Sequence, residues 1–251
     1  MTTRRKIYRA SGIILFSLGV LLGMVLIAVT IWTDLEASFF DSALASQGGE
    51  SLKGLRCPVL VTSSEIGTVT ATIKNPADKP VELRLRAHIT DGFVMLMREV
   101  NATLQLEPGE KKTAEFFVTT DDATYHWLVL VRVRQFRYSP LPTRQASCGM
   151  LALDVSFLTG GQLLGLAVAA TLLGLIGGMA LWSAGNWPLN RRAQATVRTM
   201  AALTVSLVVG FLVGFTGSWL LGTLLFAINL LLIFEIVRHA VQKSGDLTSV
   251  G

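Results

Sequence analysis

The apolar positions fall into two regimes: long uninterrupted runs towards both ends of the chain and, between them, short runs in which apolar and polar residues alternate. Residues 12–32, GIILFSLGVLLGMVLIAVTIW, contain 21 positions without a charge. At about 1.5 Å per residue, such a helix crosses a hydrocarbon core of about 30 Å, so the run predicts a first membrane helix. A basic start ahead of an apolar run also fits a secretory signal peptide, with Ala43-Leu44-Ala45 as its cleavage site. The run is longer than a usual signal core and Ala45 lies well past its end, so a retained helix is the expectation. A second span is predicted over 158–182. A third apolar tract, 200–237, is too long for one crossing. It divides at Thr216-Gly217-Ser218-Trp219, a turn followed by an interfacial tryptophan, which predicts helices over 200–216 and 219–237.

Between the first two spans the period changes. TVTATIK at 68–74 and VELRLRAHI at 81–89 place apolar side chains on one face and polar ones on the other, with Asn75-Pro76-Ala77-Asp78 as the intervening turn. Further strands are predicted over 94–97, 102–106, 113–119, 125–136 and 148–155, and Glu107-Pro108-Gly109-Glu110 forms another turn. About seven strands in roughly 100 residues predict a β-sandwich. The resulting organisation is a basic tail (1–11), a helix (12–32), a juxtamembrane linker (33–50), a β-domain (51–157), a helix (158–182), a basic loop (183–199), two helices (200–216 and 219–237) and a tail (238–251).

The stretches TVTATIKNPADKPVELRL, 68–85, and LEPGEKKTAEFFV, 106–118, resemble the extracytoplasmic immunoglobulin-like modules of prokaryotic surface and membrane proteins. The resemblance covers about 100 of the 251 residues and implies a sandwich that binds, spaces or scaffolds. Cys57 and Cys148 are the only cysteines and bracket this domain. On the non-cytoplasmic side of a membrane they are expected to form a disulfide.

Composition agrees with the pattern: 51% of residues are hydrophobic, 16% are charged and the mean hydropathy is +0.53, whereas soluble domains carry about 25% charged residues. The net charge of +5 raises the question of nucleic acid, which the placement of the charges answers. Nine of the 22 basic residues flank the apolar runs: Arg4, Arg5, Lys6 and Arg9; Arg191, Arg192 and Arg198; Arg238 and Lys243. The other 13 lie among 15 acidic residues in the middle of the chain, so no nucleic-acid partner is expected. Four crossings put all three basic segments on one side, as the positive-inside rule requires, with both termini cytoplasmic and the β-domain outside the plasma membrane.

GxxxG spacings occur at Gly19/Gly23, Gly161/Gly165, Gly174/Gly178 and Gly210/Gly214. Such pairs let helix backbones approach closely, either within the chain or against partner helices. Asn229 is the polar anomaly of the last helix, readable as an interhelical hydrogen bond or as a position lining a pathway. Glu235 stands three and four residues from Arg238 and His239, the spacing of a local ion pair. His88 and His126 fall in predicted strands, and no HExxH, G-x-S-x-G, P-loop or CxxC spacing occurs. Asp121-Asp122 reads as a solvated turn or a cation contact, Arg132, Arg134 and Gln135-Phe136-Arg137-Tyr138 as a basic and aromatic strand face that is solvated or meets lipid headgroups or an acidic partner, and 34–45 as an amphipathic interfacial turn of helix. Asn101-Ala102-Thr103 matches a glycosylation sequon. The expectation is a non-catalytic membrane subunit without cofactor or metal, in contact with lipid and with other membrane subunits. A surface receptor or sensor and an auxiliary channel or transporter subunit are the alternatives.

Overall fold

A computed structural model describes residues 3–41, 50–136, 142–214 and 219–248, excluding the side chains of residues 3, 192 and 235–248. Outside this description lie the cleavage-site candidate Ala43-Leu44-Ala45, the hairpin tip Thr216-Gly217-Ser218, Arg137 and Tyr138, and the side chains of Arg192, Glu235, Arg238, His239 and Lys243. The chain divides into two compact units, Met1–Ile31 with Leu166–Gly251, and Trp32–Gly165.

The helical elements are α1 (Thr3–Phe39), α2 (Gly160–Gly185), α3 (Arg191–Gly214) and α4 (Trp219–Thr248). Three of them, α1 to α3, are long and apolar enough to cross a membrane; the apolar part of α4, Trp219–Phe234, is shorter. Helix α1 extends well beyond the predicted 12–32 because its flanks contain neither proline nor a breaking glycine. Helix α2 opens on a reciprocal cap: the Gln162 amide nitrogen donates to Thr159 Oγ1 (3.3 Å) and the Thr159 amide nitrogen to Gln162 Oε1 (3.0 Å). Helix α3 starts at Arg191 rather than 200, since Asn190 Oδ1 accepts from the Ala193 amide nitrogen (2.8 Å) as an N-cap. Arg191 and Arg198 are therefore exposed helical residues and not part of a loop.

Phe16, Met24, Ile27, Leu175, Met200, Leu203 and Leu207 form the core of the helical unit. Its closest approaches are made over glycine. A Cβ on Gly174 would stand 2.9 Å from Gly19 Cα, one on Gly19 would stand 2.9 Å from the Gly174 carbonyl carbon, and one on Gly178 would strike the Phe16 backbone and come within 2.8 Å of Gly12 O. We expect Gly178→Leu to prise α1 from α2 and to lower the thermal midpoint in detergent by more than the equivalent of about 1–3 kcal/mol, because backbone on both sides blocks relaxation. Gly161 and Gly165 have nothing within 4 Å. Leucine there should leave the midpoint unchanged, and equal effects at all three sites would refute the assignment.

In the β-unit, a six-stranded sheet is ordered β1-β9-β8-β5-β6, with β3 also pairing β9, and faces a three-stranded sheet ordered β2-β4-β7. The strands are β1 (Glu50–Ser51), β2 (Leu55–Arg56), β3 (Leu60–Thr62), β4 (Gly67–Lys74), β5 (Val81–Asp91), β6 (Phe93–Leu106), β7 (Lys111–Val118), β8 (Leu128–Gln135) and β9 (Arg144–Leu153). Alternation supplies the core: Val69, Ala71 and Ile73 of β4, Leu83, Leu85, Ala87 and Ile89 of β5, Phe116 of β7, and Val131 and Val133 of β8 are buried together. The predicted strands 94–97 and 102–106 are one strand, because the ladder with β5 runs through Glu99–Asn101, whose polar members simply point outward. The strand predicted from 125 begins at Leu128, and His126 is not in a strand. Tyr125 and His126 take φ values of +53° and +66°, and Thr124 and Leu128 exchange backbone hydrogen bonds across the turn.

Cys57 and Cys148 are joined, 91 residues apart in sequence with Cα atoms 6.4 Å apart. The bond ties β9, in the larger sheet, to the segment linking β2 and β3.

Candidate functional site

On β5 the even positions point away from the core. The register sets Glu99, His88, Arg132 and Ser147 in one row across β6, β5, β8 and β9, and Asn101, Arg86, Arg134 and Gln145 in the next. One part of this outer face is closed by the end of α1, where Ala37 and Phe40 bury against Leu128 and Leu130. Close contact requires Gly149 on β9, where a Cβ would collide with Thr33 O.

Arg132 was expected to be solvated and is only 5% exposed. Its Nε donates to Phe40 O (2.8 Å) and its Nη2 to Ser38 O (3.0 Å) and Ala37 O (3.4 Å). These are the orphan carbonyls of a helix C-terminus, where a cation is favoured by both the hydrogen bonds and the dipole. Burial pulls the guanidinium below its ordinary pKa, an effect opposed by the nearby Asp41 charge. Asp41 follows the helix at φ +50°, and its carboxylate accepts from buried His88 Nδ1 at 2.6 Å. His88 Nε2 faces Glu99 Oε1 at 3.4 Å without hydrogen-bond geometry, and Arg86 Nη1 meets Glu99 Oε2 at 3.3 Å. Asp41, His88, Glu99, Arg86 and Arg132 thus form a connected polar layer that fastens the end of α1 to the sheet.

Further along the same face the layer opens. Phe136 lies between two guanidinium groups, with Arg86 Cζ 5.1 Å and Arg134 Cζ 5.5 Å from its ring centroid, and exposed Arg84 is next to it. Two arginines flank one half-buried aromatic ring, Arg86 being shared with Glu99, and with exposed Arg84 on the same face they form a basic surface suited to carboxylates or other anions.

Other candidate residues lie away from this face. Asp122, expected in a solvated turn, is buried: Arg98 Nε and Nη2 donate to its two oxygens at 2.7 and 2.9 Å, and the Thr119 amide nitrogen adds a third bond at 2.8 Å. The paired Asp122 holds Arg98 above its ordinary pKa. Asn229 is fully buried; its Nδ2 donates to Leu225 O (2.9 Å) one turn back, while its buried Oδ1 meets no hydrogen-bond partner among the described residues. A Cβ on Gly210 would stand 3.8 Å from Asn229 Nδ2, Gly214 packs on Thr30, and Gly23 packs on Thr171. Of the eight motif glycines, six are therefore consumed by packing inside the chain. Arg4, Arg5 and Lys6 are exposed on the first turns of α1, and Arg9 Nε donates to Gly185 O at 3.0 Å. Among the described residues, no group of three or more His, Cys, Asp or Glu is placed to hold a metal ion.

No protein-family model matches the chain, and no curated protein matches it either. Among solved structures, a Bacteroides uniformis β-glucuronidase aligns at 17% identity and TM-score 0.30, over 39% of this chain and 12% of that one. The CARDB domain of the PF1109 protein from Pyrococcus furiosus, in complex with di-metal ions, aligns at 16% identity and TM-score 0.32, over 40% of this chain and 90% of that domain. A β-glucosidase from Listeria innocua in complex with glucose aligns at 19% identity and TM-score 0.29, over 41% and 15%. These partial likenesses assign neither an activity nor a ligand.

Proposed function

We propose that the chain is a non-catalytic subunit of a membrane complex, anchored by four membrane helices and carrying an extracytoplasmic immunoglobulin-like sandwich that docks an acidic component of that complex. One observation carries the proposal: the outer face on which Arg86 and Arg134 flank Phe136, with exposed Arg84 on the same face of β5. Clusters of arginine and aromatic residues are enriched at interface hot spots, and charge complementarity steers and orients partners. In this reading the fourth crossing is the apolar part of α4, and the basic segments around Arg4, Arg191 and Arg238 support cytoplasmic termini at the plasma membrane through the positive-inside rule. The disulfide supports an oxidising location for the sandwich.

The test is the size of the native particle after gentle extraction. The wild-type chain should migrate in a species well above its own 27.1 kDa. The variant Arg84→Glu should be released from that species while keeping its abundance, since the position is exposed and an opposed charge becomes a like charge. A wild-type chain of monomer size, or a complex indifferent to the charge reversal, would contradict the proposal.

A further inference from the structure

The two ends of the β-unit differ sharply in chemistry. At one end the β4–β5 and β6–β7 connections present Asp78, Lys79, Glu107 and Glu110. At the other, β5 turns into β6 through Gly92 (φ +71°) and continues as Phe93-Val94-Met95-Leu96-Met97, five apolar residues in succession. Phe93 is 69% and Met95 92% exposed, an outward presentation that water opposes. Across a groove that this hairpin shares with Leu153 and Asp154 stands Tyr125, itself exposed, followed by Trp127. The left-handed backbone at Tyr125 and His126 is strained for residues with side chains, and such strain gathers at functional segments.

The start of α2 belongs to this same end. Thr62 and Ser64 hydroxyls donate to Leu158 O at 2.8 and 2.9 Å, and the Gly160 amide nitrogen donates to Glu65 Oε1 at 2.6 Å. Thr62 is paired with Leu153 in the ladder, and Ser63 lines the groove. Phe157, on the path from Leu153 to Gly160, is 80% exposed. A path of that length spans at most about 25 Å.

We infer that this end is a lipid-contacting surface in which Phe93, Met95, Leu96, Tyr125, Trp127 and Phe157 enter the boundary between headgroups and acyl chains. Three observations select lipid as the occupant: the short tether to an apolar helix, the Tyr and Trp that favour that boundary, and the concentration of exposed apolar residues at this end of the sandwich. The groove carries Asp121 and Asp154 rather than Lys or Arg, so the contact is apolar in origin and does not require anionic lipid.

The inference rests on α2 spanning the bilayer, and the test separates the two. The full chain, with its disulfide intact, carries a nitrobenzoxadiazole label on Met95→Cys, Lys79→Cys or Leu173→Cys and is reconstituted into phosphatidylcholine vesicles containing lipids with a nitroxide near the headgroup or deep in the acyl chain. The label at 95 should emit blue-shifted light and be quenched most by the shallow nitroxide, equally when a fifth of the lipid is phosphatidylglycerol; the label at 79 should stay water-like, and the label at 173 should be quenched by the deep nitroxide. Quenching at 173 with water-like emission at 95 overturns the inference and leaves the spanning helix standing. No quenching at either position overturns both. A blue shift at 95 in native membranes that is absent in lipid vesicles identifies a protein as the occupant and also overturns it.

Discussion

Replacing Cys57 and Cys148 together with alanine is expected to lower the stability of the β-unit by about 4–5 kcal/mol in the chain-entropy view, with strain and residual unfolded structure reducing that figure. The closed loop spans 91 residues, so the unfolded chain recovers a large conformational freedom when the bond is absent. The location of the bond adds to the effect. Cys148 is on β9, the strand that β1, β3 and β8 all pair with, and the cysteine pair packs against the core between the sheets. Losing the bond frees the β2–β3 segment, whose strands are only two and three residues long and hold few ladder bonds of their own. Pulse proteolysis in urea gives the measurement: the cleavage midpoint of the oxidised chain should fall markedly in the double variant and by the same amount on reduction of the wild type. Unchanged midpoints would show that the sandwich needs no covalent closure.

Arg132→Met is expected to loosen the end of α1 from the sheet by about 3–5 kcal/mol. Methionine fills much of the space but leaves the carbonyls of Ala37, Ser38 and Phe40 buried without their donor, and buried polar groups left unpaired cost about 1–3 kcal/mol each. It also removes a positive charge from beside Asp41, leaving buried carboxylate and imidazole with less compensation. Hydrogen exchange over residues 32–41 should then accelerate by at least about a hundredfold, the counterpart of about 3 kcal/mol. Arg132→Lys should recover only part of the protection, since one ammonium cannot reproduce a planar fork aimed at separate carbonyls. Full recovery with lysine would reduce the role of Arg132 to charge alone.

The alternation of 68–74 and 81–89 already contains β4 and most of β5, and the apolar face it defines is the face that is buried. The uncharged run 12–32 lies inside α1, and the cysteine pair could be read from number and position because only two thiols exist to meet. Element ends were less legible. Helix α3 gains its first turns from an asparagine cap, and β8 loses its first residues to a turn held by two left-handed residues. Such effects depend on single hydrogen bonds and single dihedral angles, which hydropathy does not register.

The site was less legible still. Alternation places Arg132 and Arg86 alike on the polar face of their strands, and from sequence both read as solvated. Only the pairing of β8 with β5, and the arrival of α1 some ninety residues earlier in the chain, buries one guanidinium under a helix end while the other stays beside Phe136. The glycine spacings behave similarly. Gly174 and Gly161 occur in equivalent motifs on one helix, yet Gly174 meets the α1 backbone and Gly161 meets nothing within 4 Å. Periodicity along a chain records which residues share a face, and so determined the apolar spans and the sandwich core of this protein, while the count of two cysteines determined its closure. What covers a face depends on contacts between distant segments, and the tertiary structure alone decided which arginine became a helix cap and which glycines became helix contacts.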